Sequence, residues 1–193
     1  MKTEQLSNFV DITSGQILQR ITSKDPNESN ATVWKVVVPK AITSEGFISV
    51  EDLAEESLKA EPPVDRITRE GDIVIKLSTP FDSAIITKES EGCLVSSFCA
   101  IIRNNGALQI DYLSAFLASK YCKEQMKAKV AGAMQSILSI GKIKSIEIPI
   151  PDEKTQKEIG KRYKNVQEKI LIMNRIMALE SKRNDIVFQE LVK

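Results

Sequence analysis

The sequence predicts an α/β (α+β) domain over residues 1–150, followed by one long C-terminal α-helix over residues 151–193 that pairs as a coiled coil. Three observations predict it. Short β-branched and aromatic runs bounded by Gly, Pro and Asp recur through the first half and read as strands. Ile146, Ile148 and Ile150 alternate strictly until Pro149 and Pro151 close the run, which is the pattern of a half-buried strand that stops. From Ile159 onward, Ile159, Tyr163, Val166, Ile170, Met173 and Met177 are spaced four, three, four, three and four, the heptad of a coiled-coil seam.

Taken in order, residues 5–12 (QLSNFVDI) and 33–38 (VWKVVV) read as strands, with a loop between them. Residues 50–61 (VEDLAEESLKAE) have the composition of a short helix ended by Pro62 and Pro63. Gly71-Asp72 makes a turn into a strand at 73–77 (IVIKL), with STPFDS as its loop and AIIT and CLVSSFCAIIR as further strands. From Asp111 the texture changes, and Tyr112, Phe116, Leu117 and Tyr121 fall at helical spacings, predicting a helix packed on the sheet. Gly132 interrupts it. After the closing strand, Asp152 is placed to cap a helix, with Glu153 and Glu158 near its positive end. A helix over residues 152–190 is roughly 57 Å long at 1.5 Å per residue, more than a domain of this size can cover, so one end must project. A second apolar stripe, Ile172, Ile176, Leu179 and Ile186, favours pairing with another helix over folding back along its own domain. Gly160, unfavourable in a helix interior, marks a weak spot or a close approach near the helix start.

Composition narrows the function. The chain has 193 residues, 42% of them hydrophobic, enough for a core of its own. No apolar run serves as a signal peptide or reaches the ~20 residues of a membrane span, so the expected address is cytoplasmic with no membrane partner. Without a single histidine, hydrolysis by a serine or cysteine relay lacks its usual base. Cys93, Cys99 and Cys122 lack CxxC spacing and read as buried reduced thiols. Neither GxxxxGK[ST] nor GxGxxG is present, so nucleotide chemistry and a cofactor are not expected. Glu61-Pro62-Pro63-Val64 has the outline of an acid-Pro-Pro-aromatic methyltransferase motif but lacks the aromatic, and reads as a loop. Pro151-Asp152-Glu153-Lys154 compresses the parts of a nuclease metal motif into one turn, where capping is the better account. No catalytic or metal-binding residues are assigned.

Polar and cationic side chains on two loops are more suggestive. Lys76, Ser78, Thr79 and Lys88 flank the loop after the IVIKL strand, while Gln19, Arg20 and Lys24 lie in the loop after the first strand. Donors of this kind suit phosphate and base-edge hydrogen bonds, although each one alone reads first as an ordinary surface residue. Charge is uneven along the chain. Lys plus Arg against Asp plus Glu is 11 to 16 over residues 1–106, 6 to 3 over 107–150 and 10 to 7 over 151–193.

Several segments, in order, resemble the specificity subunit of type I restriction-modification systems. LSNFVDITSGQ resembles the start of its target-recognition domain, and REGDIVIKLSTPFDSAII its Gly-Asp-Ile strand and following loop. DYLSAFLASKYCKEQM resembles its Tyr-Leu helix, and VAGAMQSILSIGKIKSIEIPIPDEKTQKEI its Gly-to-Gln and Ile-Pro-x-Pro junction, with the conserved spacer helix after it. The junction is the most specific part. The resemblance covers nearly the whole chain but supplies one recognition domain and one spacer where usual members carry two of each. It implies a non-catalytic subunit that reads double-stranded DNA for DNA methyltransferase subunits and, where the system cuts, for a restriction (nuclease) subunit. It also implies that the second spacer comes from another chain, giving a homodimer or a pair with a second specificity chain. A homodimer would read inverted copies of one half-site. The acidic first half predicts weak DNA binding by this chain alone. Two rival readings are an assembly adaptor without a DNA role and an independent metal-dependent nuclease.

Overall fold

The computed structural model describes residues 2–23, 32–132 and 137–192. Among them the strands are β1 (Lys2–Gln5), β2 (Val10–Ser14), β3 (Thr32–Val37), β4 (Ala54–Leu58), β5 (Ile73–Lys76), β6 (Ser83–Ile85), β7 (Leu94–Val95), β8 (Cys99–Asn104) and β9 (Glu147–Ile150). The α-helices are α1 (Ile110–Ala118), α2 (Lys120–Val130), α3 (Ile140–Lys144) and α4 (Glu153–Leu191).

A four-stranded antiparallel sheet, ordered β2-β8-β5-β6, forms the middle layer. Its central strand explains why IVIK reads as a continuous apolar run: successive side chains point to opposite faces, and both faces are covered. Ile73 and Ile75 join Ile102, Leu113 and Leu117 in the larger core, while Val74 joins Ile101, Val95 and Ile42 in a second one. Helices α1 and α2 cover the first side. A three-stranded sheet, ordered β4-β3-β7, lies beyond the second.

Several elements differ from the sequence reading. Residues 5–12 are two strands, because a 3-10 turn at Leu6–Asn8 buries Leu6 completely and redirects the chain. Residues 50–61 hold a 3-10 turn and β4 rather than a helix. Good helix formers there are overruled by pairing with β3, where Lys35 faces Glu55 and Thr32 faces Leu58. The predicted single helix from Asp111 is two: Ser119 is extended (ψ 150°), and its hydroxyl accepts the Cys122 N–H at 3.2 Å to start α2. Tyr121 lies past that break and stays exposed, outside the core that takes Tyr112, Phe116 and Leu117.

The junction carries the most construction. Strand β9 pairs antiparallel with β1 in a separate two-stranded sheet, with Pro149 opposite Thr3, so the proline sits where no continuous ladder needs its missing N–H. The Tyr112 hydroxyl donates to the Pro149 carbonyl at 2.6 Å. Asp152 then caps α4, its carboxylate accepting from the Thr155 N–H at 3.0 Å and the Thr155 hydroxyl at 2.8 Å. Gln156 ties the starts of two helices together. It accepts the Gln109 N–H at 3.0 Å and donates to the Pro151 carbonyl at 3.0 Å.

Helix α4 docks with its first half and projects with its second. Gln156, Gly160 and Gln167 are buried and Tyr163 and Ile170 half-buried, whereas residues 171–192 are exposed throughout. Gly160 is a close approach: a Cβ there would lie 2.7 Å from Asp111 Cβ and 3.0 Å from the Tyr112 nitrogen.

Candidate nucleic-acid interface

Sheet register decides which loops meet. Ser14 at the end of β2 pairs with Ala100, and Lys76 at the end of β5 pairs with Cys99, both at the start of β8. The loops after β2 and β5, and the residues before β8, therefore share one end of the central sheet. Backbone bonds lock them together. Gly15 and Gln16 donate to the carbonyls of Cys99 (3.0 Å) and Val95 (2.7 Å), Ser97 donates to Gln16 (2.8 Å), and Leu77 donates to Phe98 (3.0 Å). A side chain on Gly15 would overlap the Ser96 carbonyl, so glycine permits this contact.

On that end, a 3-10 turn at Leu18–Arg20 presents Gln19 and Arg20 to solvent. The Thr22 hydroxyl donates to the Leu18 carbonyl at 2.8 Å, and the Lys59 N–H to the Ile21 carbonyl at 2.9 Å, which pins the turn to β4. Ser78 and Thr79 are exposed on the second loop. That loop is anchored by Phe81, whose ring is fully buried although its backbone is left-handed (φ 57°), an uncommon conformation for a bulky residue. Between the loops, Phe98 is 65% exposed beside the exposed Ile17. These two, with Gln19, Thr22, Glu56 and Ser97, line a cleft of about 410 Å³.

The cations are less free than their sequence positions suggest. Lys76 is only 16% exposed and meets Asp82 at 3.0 Å, and Lys123 of α2, 24% exposed, meets the other Asp82 oxygen at 2.7 Å. Burial alone would raise the Asp82 carboxyl, but the two ammonium groups outweigh it and hold it below the usual carboxylate range. Lys88 lies elsewhere. It follows β6, and because Ile73 pairs with Ile85, residues after β6 sit at the opposite end of the hairpin from the 77–82 loop. Lys24 and Gln135 fall outside the described residues. Gln19, Arg20, Ser78 and Thr79 thus share one end of the sheet, and Lys76, at the base of the second loop, is engaged with Asp82.

Phe98, Lys123 and Arg66 were not singled out by the sequence. Arg66 donates to the Gln16 side chain under this end of the sheet. Phe98 was hidden in CLVSSFCAIIR, read as strands; Ser96-Ser97, a polar pair inside an apolar run, was the signal that a turn exposes it. Among the described residues no group of three or more acidic or cysteine side chains is placed to hold a metal ion, and no helix is long and apolar enough to cross a membrane.

The predicted seam on α4 is divided. Tyr163 and Ile170 lean toward the body, whereas Ile159, Val166, Met173 and Met177 are exposed. The docked stripe, Gln156, Gly160, Tyr163, Gln167 and Ile170, has the same heptad spacing but is rotated toward the body, sharing Tyr163 and Ile170 with the seam. The helix passes the end of the β5–β6 hairpin marked by Gly71, Ile86 and Thr87, away from the 77–82 loop.

Among solved structures, the chain is similar to the HsdS subunit from Thermoanaerobacter tengcongensis (TM-score 0.58, 19% identity, covering 92% of this chain and 47% of that one). It is also similar to a chain of a type I R-M system solved for its complex assembly and conformational transition (TM-score 0.61, 20% identity, 96% and 49%). A third likeness is to the type IIG restriction endonuclease BpuSI (TM-score 0.60, 9% identity, 84% and 26%). These likenesses show the fold. The chain spans about half the length of the first two. No curated protein sequence matches it. Residues 19–180 match the model of the type I restriction modification DNA specificity domain, and the chain belongs to that family.

Proposed function

We propose that this chain is a non-catalytic DNA-recognition subunit that reads one half of a bipartite site, with residues 1–150 as the recognition domain and residues 151–193 as spacer and dimerisation helix. One observation carries the reading: register gathers the loops bearing Gln19, Arg20, Ser78, Thr79 and Phe98 at one sheet end, while α4 docks past the other end of the β5–β6 hairpin. Recognition and pairing then use separate surfaces. Arg20 serves phosphate or a guanine edge, Gln19 an adenine edge, and Phe98 with Ile17 offers apolar contact to a thymine methyl. Lys76 and Lys123, already neutralised in part by Asp82, add little long-range attraction. Much of the phosphate grip therefore falls to DNA methyltransferase subunits.

The exposed apolar residues of α4 support pairing with a second spacer helix, from an identical chain or from another specificity chain. Co-expression with methyltransferase subunits, followed by mapping of methylated bases, tests this. An inverted repeat is expected for the homodimer. An asymmetric motif would assign the second helix to a different chain, and absence of sequence-specific methylation would overturn the recognition reading in favour of an adaptor.

A further inference from the structure

We infer that Gln167 is a positioning residue that sets the direction in which α4 leaves the body. It is the last buried residue along the described helix, 7% exposed. Its amide nitrogen donates to the Glu45 carbonyl at 2.9 Å and to the Tyr163 hydroxyl at 3.0 Å, with the Gly46 carbonyl at 3.4 Å. An amide NH2 has two donors, and the two shorter contacts use both.

The receiving turn is built to be approached. Thr43 and Phe47 close it, the Thr43 N–H donating to the Phe47 carbonyl at 2.9 Å and the Phe47 N–H to the Thr43 hydroxyl at 3.1 Å. Gly46 inside it has φ 89°, and a Cβ there would overlap the Gln167 amide and lie 2.8 Å from the Tyr163 hydroxyl. Both its backbone and its lack of a side chain are required.

Two separate contacts fix a direction. Gly160 rests on Asp111 and Tyr112 of α1, and Gln167 rests on the Glu45–Gly46 turn, about 10 Å further along the helix axis. An apolar side chain at residue 167 would fill the same space but permit sliding. A hydrogen bond to the partly buried Glu45 carbonyl holds one azimuth, because sliding the helix would leave that carbonyl and the buried Gln167 amide unpaired. Beyond the latch, residues 167–191 form a lever of about 36 Å, so a tilt of about 10° displaces its tip by about 6 Å. That displacement approaches two base-pair steps of ~3.4 Å. Resting on the recognition reading, the latch would set the spacing between the two half-sites.

The test is a distance between spin labels at Glu61→Cys and Arg183→Cys, measured in labelled full-length chain diluted into unlabelled chain. The expected result for Gln167→Met, which keeps the volume and removes the donors, is a mean shifted by about 5 Å or a distribution at least twice as wide, with helicity retained. Tyr163→Phe gives a smaller change and serves if the first variant fails to fold. A distribution unchanged in both, even with lowered stability, overturns the positioning role. A second arm compares affinity for a single half-site, expected unchanged, with the preferred spacing of paired half-sites, expected altered. Both affinities are read on the methyltransferase-bound complex, and absence of sequence-specific DNA binding by the parent complex would remove the recognition reading while leaving the distance result to decide the latch.

Discussion

The Lys123 ammonium of α2 lies 2.7 Å from Asp82, whose other carboxylate oxygen is held by Lys76 at 3.0 Å. One carboxylate thereby joins the end of β5, the start of β6 and α2, and it closes the loop that presents Ser78 and Thr79. Asp82→Asn leaves two partly buried ammonium groups facing each other without an anion. The expected loss is about 2 to 3 kcal/mol at pH 7, below the ~3–5 kcal/mol of fully buried pairs because both lysines reach solvent. The folded carboxyl titrates below its unfolded value of ~3.9, so this stabilisation is complete above that pH and is lost as pH falls through the folded value. Urea unfolding of both proteins at neutral and at acid pH should show the gap closing toward acid.

Among the cations, geometry predicts different outcomes. Arg20→Ala should flatten the slope of log affinity against log salt by about one, the signature of one lost phosphate contact. Lys88→Ala should leave binding unchanged, since it lies at the other end of the hairpin. Phe98→Ala should weaken binding at every salt concentration with the slope preserved. Titration of DNA with the methyltransferase-bound complex reads all three.

Gly160→Ala sets helix propensity against packing. Alanine favours a helix interior by about 1 kcal/mol, but its methyl group would lie 2.7 Å from Asp111 Cβ, part of a helix that cannot simply swing aside. A net destabilisation of about 1 to 2 kcal/mol is expected in the full chain. In an isolated peptide of α4 the same change should raise helicity, and circular dichroism of both distinguishes the two effects.

Met173 and Met177 are exposed on the projecting half of α4. Changing both to Glu should abolish self-association in sedimentation velocity while leaving the thermal transition of the body in place. A dimer that persists would place the pairing surface elsewhere.

The three thiols should be silent in the native protein. Burial pushes Cys99 and Cys122 up to about 12 and raises Cys93 as well. Iodoacetamide at mildly alkaline pH should modify none of them until denaturant is added, because the thiolate is the reactive form.

The helix start was legible because its signals are local: two prolines, a capping Asp152 and a heptad that begins within two turns. Strand β9 was legible through its period, and β5 as a β-branched run after the Gly71-Asp72 turn. The helix expected at residues 50–61 failed because β4 owes its conformation to β3, a partner its own sequence does not contain. At the interface, loop membership could be read for Gln19, Arg20, Ser78 and Thr79, since turns are marked by composition. What could not be read was register, which joined those loops, turned Lys88 away and tied Lys76 to Asp82. The Gln167 latch crosses 122 positions of sequence, and glutamine on a helix gives no sign of burial.

Strand β1 enters the body antiparallel to β9, which leaves it, so both crossings of the chain lie side by side against the foot of α4. A body whose entry and exit coincide behaves as a cassette with a single socket. Exchanging it for another of the same build disturbs one short ribbon and the contacts along the docked half of α4 as far as Gln167 and Ile170, and leaves the exposed residues 171–192 as they are. The pairing surface proposed for the projecting half would thus stay as it is when the body is exchanged.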